Sequence, residues 1–270
     1  MKKISDAVYE RERIYDRSNL VMLTTWGASA HFHPQMEILC VSSGAITTTI
    51  NDEVRLMRRG DIGISDSFDV HSFRVEEPGS VGHILIVPKS FLTEYSALSK
   101  NSTFVSHFFS HPQAFKIIES LVLMLREHSP GCDELFGKGI LLSIMSLIRA
   151  NLPSQACAEK NHESLMRDVL SHIYDHSDEN ITLGLLAKKF GYTPNHFSHI
   201  FNAYAQTGLK EYLNILRVDR AAAFLLNGET VLDAAMNAGF DSLRTFYRAF
   251  SKRFSTSPNA YINQPEATKR

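Results

Sequence analysis

Several things are scarce in this sequence. Its 270 residues include only three cysteines, Cys40, Cys132 and Cys157. Their odd number and wide spacing speak against a disulfide framework and against a cysteine-rich zinc site. No apolar run approaches the roughly 20 residues of a membrane helix. No apolar core follows Met1-Lys2-Lys3-Ile4-Ser5; the charged stretch Glu10-Arg11-Glu12-Arg13 stands there instead. A secretory leader needs such a core, so a cytoplasmic chain with no membrane partner is expected. A dominant charge sign is missing as well. The formal net charge is −1, which at first sight argues against a nucleic-acid partner. What is present is ordinary: 44% hydrophobic and 21% charged residues, 14 glycines and 9 prolines. That composition excludes collagen, coiled-coil rods and disorder, and the length suits about two domains.

The near-zero charge is a cancellation. Residues 1–152 carry a net −2, residues 153–180 carry −4, and residues 181–270 carry +5. The last third is a basic module on an acidic remainder.

From Val21 to Val87 the pattern is one of short strands and turns. Val21–Trp26, Met36–Val41, Ala45–Ile50, Asp61–Ser65, His71–Val75 and Val81–Val87 read as strands, with Gly27, Gly44, Gly60 and Pro78-Gly79 at turns. Such spacing predicts a small barrel or sandwich. Within it, His31-Phe32-His33-Pro34-Gln35-Met36-Glu37 is the chemically loaded segment. If it is one strand, His31, His33 and Glu37 share a face, because side chains alternate. His71 from another strand completes three imidazoles and a carboxylate. That set either lines a small-molecule pocket or holds a divalent metal. Trp26 is a further pocket candidate, with a ring able to stack on a sugar.

Spacing of His31, His33, Glu37 and Gly44, followed by Gly60 and His71, resembles the two motifs of the cupin barrel. The sequence departs from them at Asp66 and Phe68, where proline and glycine are usual. The resemblance implies a cupin-like fold; no cofactor is required, and a metal at these four residues is the alternative use.

Two helices should follow. Pro112–His128 places Phe115, Ile118, Val122 and Leu125 on one stripe. Cys132–Leu152 does the same with Leu135, Ile140, Leu141, Ile144, Leu147 and Ile148. These stripes either cover the barrel or pair two subunits. Pro153–Asn161 is small and polar and reads as a linker.

Beyond a helix at Ser164–Asp175, a pattern occurs twice. Thr182 caps a short helix, Gly191-Tyr192-Thr193 turns the chain, and a second helix starts at Pro194 with Phe197 and Phe201 inward. Thr230 caps the next short helix, Gly239-Phe240-Asp241 turns, and Ser242 starts a helix with Phe246, Phe250 and Phe254 inward. These are two helix-turn-helix units, their turn glycines 48 residues apart. A helix at Gly208–Leu226 joins them, with Glu211 and Asp219 placed to orient Arg217 and Arg220. The outward face of the second unit carries Arg244, Thr245, Arg248 and Lys252, suited to guanine edges and phosphates. The first carries Asn195, His196, His199 and Asn202, which suit bases more than phosphates.

Residues Leu186-Ala187, Gly191-Tyr192, Phe197-Ser198 and Phe201, then Ala234-Ala235, Gly239-Phe240-Asp241, Phe246, Arg248, Phe250 and Ser257-Pro258, resemble the AraC/XylS family of transcriptional regulators. The likeness covers about 100 residues. It implies an α+β chain with three parts. Residues 1–152 form a cupin-like effector-binding and dimerisation domain, and residues 153–161 a linker. Residues 162–265 form a DNA-binding domain, with helix-turn-helix units near 181–205 and 230–254. It also implies a homodimer on double-stranded promoter DNA, contact with RNA polymerase, and a small effector, most often a sugar, acting more often in activation. The family's glycine after each recognition helix is Gln206 and Ser255 here, so altered turns are expected there, with Gly208 serving the first. The competing expectation is a metal-dependent cupin enzyme with a helical appendage.

Overall fold

The computed structural model describes residues 8–9, 19–23, 27–92, 95, 102–104, 106–128, 133–152, 154–156 and 162–263. Trp26, Cys132, Cys157 and most of the expected linker lie outside the described residues. The rest divide into two compact units, with a boundary between residues 161 and 162 and with Val8–Tyr9 grouped with the second.

The strands are β1 (Val8–Tyr9), β2 (Asn19–Leu23), β3 (Ala28–Phe32), β4 (Met36–Ser43), β5 (Ala45–Ile50), β6 (Glu53–Arg58), β7 (Asp61–Ser65), β8 (His71–Val75), β9 (Val81–Val87), β10 (Ser102–Phe104), β11 (Phe108–Ser110) and β12 (Ser154–Ala156). One antiparallel sheet sets β3, β8, β5 and β6 side by side; the other runs β11-β7-β4-β9-β2. Leu39, Val41, Ile84 and Ile86 from the second sheet meet Ile46, Ile50 and Phe73 from the first in a shared interior. Ser154–Ala156, expected as linker, is a strand paired with β10.

The outer face of the second sheet carries Met36, Ile38, Cys40, Leu85 and Val87. It is covered by α1 (Pro112–His128) and α2 (Glu134–Asn151). Phe115, Ile118, Val122 and Leu125, with Ile140, Leu141, Ile144 and Ile148, are buried against it. The stripes that could have paired two subunits therefore form this unit's own core. Leu135, expected on the buried stripe, is exposed.

From residue 162 on, the elements of the second unit are all helices: α3 (His162–Asp175), α4 (Leu183–Phe190), α5 (Pro194–Ala205), α6 (Leu209–Leu226), α7 (Val231–Asn237), α8 (Leu243–Phe254) and α9 (Pro258–Ile262). Side-chain caps start α4, α5, α7 and α8: Thr182, Thr193, Thr230 and Ser242 each accept a backbone N–H from three residues on. Each such cap contributes about 1 kcal/mol. Gly239 has φ 91° and lies so close to the α3–α4 loop that a Cβ there would meet Asp178 Cα at 2.6 Å. Only glycine allows that approach.

The expected altered turns are absent. Gln206 and Ser255 adopt φ 52° and 54°, so both helices end in the left-handed turn a glycine would give. Gly208 does not serve the turn; it is the N-cap of α6, with φ −76°.

Candidate nucleic-acid interface and buried histidine site

Helix α6 is the spine of the second unit. Tyr212, fully buried, meets Phe201 of α5 edge-on at 5.8 Å. Val218, Ala221, Ala222 and Leu225 join Ala234, Ala235, Phe246 and Phe250 in the core of the second helix pair. One 18-residue helix thus holds both pairs. At ~1.5 Å per residue it spans about 27 Å, comparable to the ~34 Å between successive major grooves on one side of DNA.

With Phe246 and Phe250 fixing the inner side of α8, Arg244, Arg248 and Lys252 are exposed and Thr245 is half-buried. Asn195, His196, His199 and Asn202 of α5 are all exposed, and Tyr192 stacks on His196 at 5.5 Å. Every proposed contact residue of the two units therefore lies away from the cores. Their surroundings differ from expectation in one respect. Glu211 accepts from Lys252 Nζ at 2.8 Å, and Asp219 accepts from Arg253 Nε at 3.0 Å. Arg217 and Arg220 are not held by these acids. Arg217 donates to the carbonyls of Ser177 and Glu179 at 2.6 and 2.8 Å, and Arg220 pairs with Asp178 at 2.7 Å. They tie α6 to the α3–α4 loop. Arg253, which the sequence reading did not single out, is a brace between α8 and α6. Its place one residue after the outward row was the available signal.

In the first unit the four histidine and glutamate candidates do come together, though not from one strand. His31 is the penultimate residue of β3, His33 lies in the turn, and Glu37 is in β4. His71 on β8 is directly opposite His31. Their ligating atoms all lie within 4.8 Å of one another, and all four residues are buried. His33 Nε2 donates to Glu37 Oε1 at 3.0 Å, and His71 Nε2 is 3.3 Å from Oε2. His31 Nδ1 donates to the Ser29 carbonyl at 2.7 Å, and His71 Nδ1 to the Asp69 carbonyl at 2.8 Å. Those bonds turn both Nε2 atoms toward the shared centre. Burial, reinforced by the neighbouring His71, lowers the His31 pKa to about 3, so its ring is neutral. Burial acts to raise the Glu37 pKa, but the charge of His71 and the bonds from His33 and His71 hold it well below the usual range.

Loop Asp66–Val70 positions His71. Asp69, almost fully buried, accepts from the Asp66 N–H at 2.8 Å and from Asn51 Nδ2 at 3.0 Å. Phe68 takes φ 64°, in the left-handed region that favours glycine, and its N–H donates to the His33 carbonyl at 2.8 Å. A surface groove of about 630 Å³ in this unit is lined by Ala28, Thr47, Thr49, Asn51 and Ser72 among others, and shares only His71 with the buried set.

The family profile of the helix-turn-helix domain matches residues 186–264. The right origin-binding protein of Escherichia coli K12 is 33% identical over 103 residues, 38% of this chain and 36% of that protein. The chain therefore spans about a third of that relative's length. The transposon Tn10 TetD protein of Escherichia coli is 33% identical over 101 residues, 37% of this chain and 73% of that protein. Among solved structures, ToxT from Vibrio cholerae is similar with a TM-score of 0.45 and 10% identity, covering 92% of this chain and 97% of that one. Identity to the curated relatives at this level, over so large a part of TetD and with the profile match on the paired helix units, shows that the chain belongs to the AraC/XylS family of transcriptional regulators.

Proposed function

We propose that the protein is a ligand-responsive regulator of transcription, not an enzyme, that binds promoter DNA through α5 and α8. One observation carries the reading: two capped helix-turn-helix units share one rigid helix, and each presents an exposed row of base- or phosphate-bonding side chains. On α8, Arg244 and Arg248 are exposed cations suited to guanine edges and phosphates. The first unit contributes an effector-binding barrel. Its ligand can bias regulation only by its differential affinity for the DNA-competent state. The chain works as a homodimer through the outward faces of α1 and α2, where Ile117, Met124, Leu135, Phe136 and Leu142 are exposed. RNA polymerase is the further partner, and the cytoplasm the site of action; among the described residues no helix is long and apolar enough to cross a membrane. A metal-dependent enzyme reading accounts for the buried histidines and leaves the paired helix units without a task.

Footprinting of the full chain on DNA selected by binding tests the reading. Two protected segments one helical turn apart on one face of the duplex are expected. Arg244→Ala with Arg248→Ala should remove one of them. A folded double variant with an unchanged footprint and affinity overturns the assignment of α8.

A further inference from the structure

We infer that the interior of the first unit is a binding site for a divalent late first-row transition cation, held by His31, His33, Glu37 and His71. This names the ligand chemistry of the sensor unit, and its place in regulation rests on the function proposed above; the site itself rests on geometry.

The donors come from three strands and a turn, yet their ligating atoms lie within 4.8 Å of one another. A cation about 2.1 Å from each donor separates them by roughly 3–4.2 Å. The set closes on one ion with inward shifts of a few tenths of an ångström. The chemistry agrees with the distances. Three imidazoles and one carboxylate favour zinc, cobalt or nickel over magnesium or calcium, which prefer oxygen. The outer bonds are also in place, since the Ser29 and Asp69 carbonyls fix the Nδ1 atoms of His31 and His71. Asp69 is itself bonded to Asn51 and the Asp66 N–H, so the support extends into a second layer.

A separate observation points to a polar occupant. Ser65 lies directly opposite Glu37 in the β4–β7 pair, and Thr48 lies opposite Phe73, whose ring is 5.6 Å from that of His71. Ser65 and Thr48 are essentially fully buried, and neither hydroxyl has a hydrogen-bond partner among the described residues. Leaving two such groups unbonded in an apolar core is costly. Beside a hydrated or oxygen-ligated cation they gain partners. Packing alone gives no reason for a threonine between Ile46 and Ile50 on this inward row.

The inference is tested on the full chain, free of any affinity tag and stripped with a chelator. Calorimetric titration with Zn²⁺ should show one equivalent bound per chain. Co²⁺ should give visible d–d absorption with the same stoichiometry, and Mg²⁺ should not compete. His31→Gln should weaken Zn²⁺ binding by about 100-fold or more, since loss of an outer-layer partner alone costs 10–100-fold. Glu37→Gln serves as the second variant if His31→Gln fails to fold. A half-buried pair, His172 and His176, has ring centroids 4.4 Å apart and is the alternative seat for a cation. Replacing both by alanine should leave binding unchanged. If that double variant abolishes binding, or if the folded chain takes up no stoichiometric Zn²⁺ or Co²⁺, the site is overturned. DNA affinity, measured on the same samples, separates the two readings. A chain that binds metal but no DNA refutes the regulator and leaves the site standing; a chain that binds DNA but no metal does the reverse.

Discussion

Phe68, Gln206 and Ser255 each hold a left-handed backbone, at φ 64°, 52° and 54°. For residues other than glycine this costs roughly 1–2 kcal/mol. The three offset it differently. Phe68 buries its whole ring, with the Lys89 ammonium 5.5 Å from the ring centre. Gln206 donates from its side chain to the Ala203 carbonyl at 2.7 Å. Ser255 is exposed, and no side-chain hydrogen bond of its own is seen among the described residues. Ser255→Gly should therefore stabilise the second unit by about 0.5 kcal/mol, the relief of strain less the larger unfolded-state entropy of glycine. Gln206→Gly should be near neutral. Phe68→Gly should cost about 3 kcal/mol through lost burial. Urea midpoints of the full-length variants check the order; a destabilised Ser255→Gly refutes the strain argument. By residue preference alone, Gln206 and Ser255 signal a changed turn. Packing of the flanking helices fixes the turn, and packing is invisible in a local window.

Among elements, α6 shows what spacing can and cannot deliver. Its length and its partition of buried residues between two helix pairs follow from helical periodicity, and so do the bounds of α1, where Pro112 opens the helix. Its ion pairs do not follow. Spacing along the helix pairs Glu211 and Asp219 with the neighbouring Arg217 and Arg220, but their partners are Lys252 and Arg253, on a helix 41 and 34 residues further on. The histidine site behaves alike. The residues were legible as a set, while the turn at His33 that splits them between β3 and β4 was not. The strands Ala28–Phe32 and Glu53–Arg58 carry no clear strand signal in the sequence, because serine, arginine and glutamate break their apolar pattern. The two α6 pairs should also differ in weight. Arg253 and Asp219 are each 12% exposed, whereas Lys252 is 66% exposed. Arg253→Ala should cost about 2 kcal/mol, since it strands a mostly buried carboxylate. Lys252→Ala should cost under about 1 kcal/mol, as exposed pairs do. Equal losses in thermal unfolding would mean that Arg253 is not the brace described.

At the scale of the whole chain, a net charge of −1 conceals a basic end and an acidic remainder. Within the basic end the charge is again uneven. Helix α8 carries Arg244, Arg248, Lys252 and Arg253, while α5 carries no Lys or Arg. Lys252 and Arg253 are engaged with α6, which leaves Arg244 and Arg248 with no carboxylate partner seen among the described residues. Phosphate contacts release counterions, so each contributes about 0.9 to the slope of log affinity against log salt. Base-edge contacts made by neutral groups contribute little to that slope but discriminate sequence by about 1–3 kcal/mol per good pair. The two heads should therefore separate in a salt titration of the full chain on its selected DNA. If Arg248 meets phosphate, Arg248→Ala should lower the slope by about one and weaken binding to all sequences alike. Asn195→Ala and His199→Ala should leave the slope unchanged and relax preference at their own positions. The opposite pattern, a slope that follows α5 and a preference that follows α8, would reverse the roles assigned to the two helices, because only a charged side chain on phosphate can move the salt dependence.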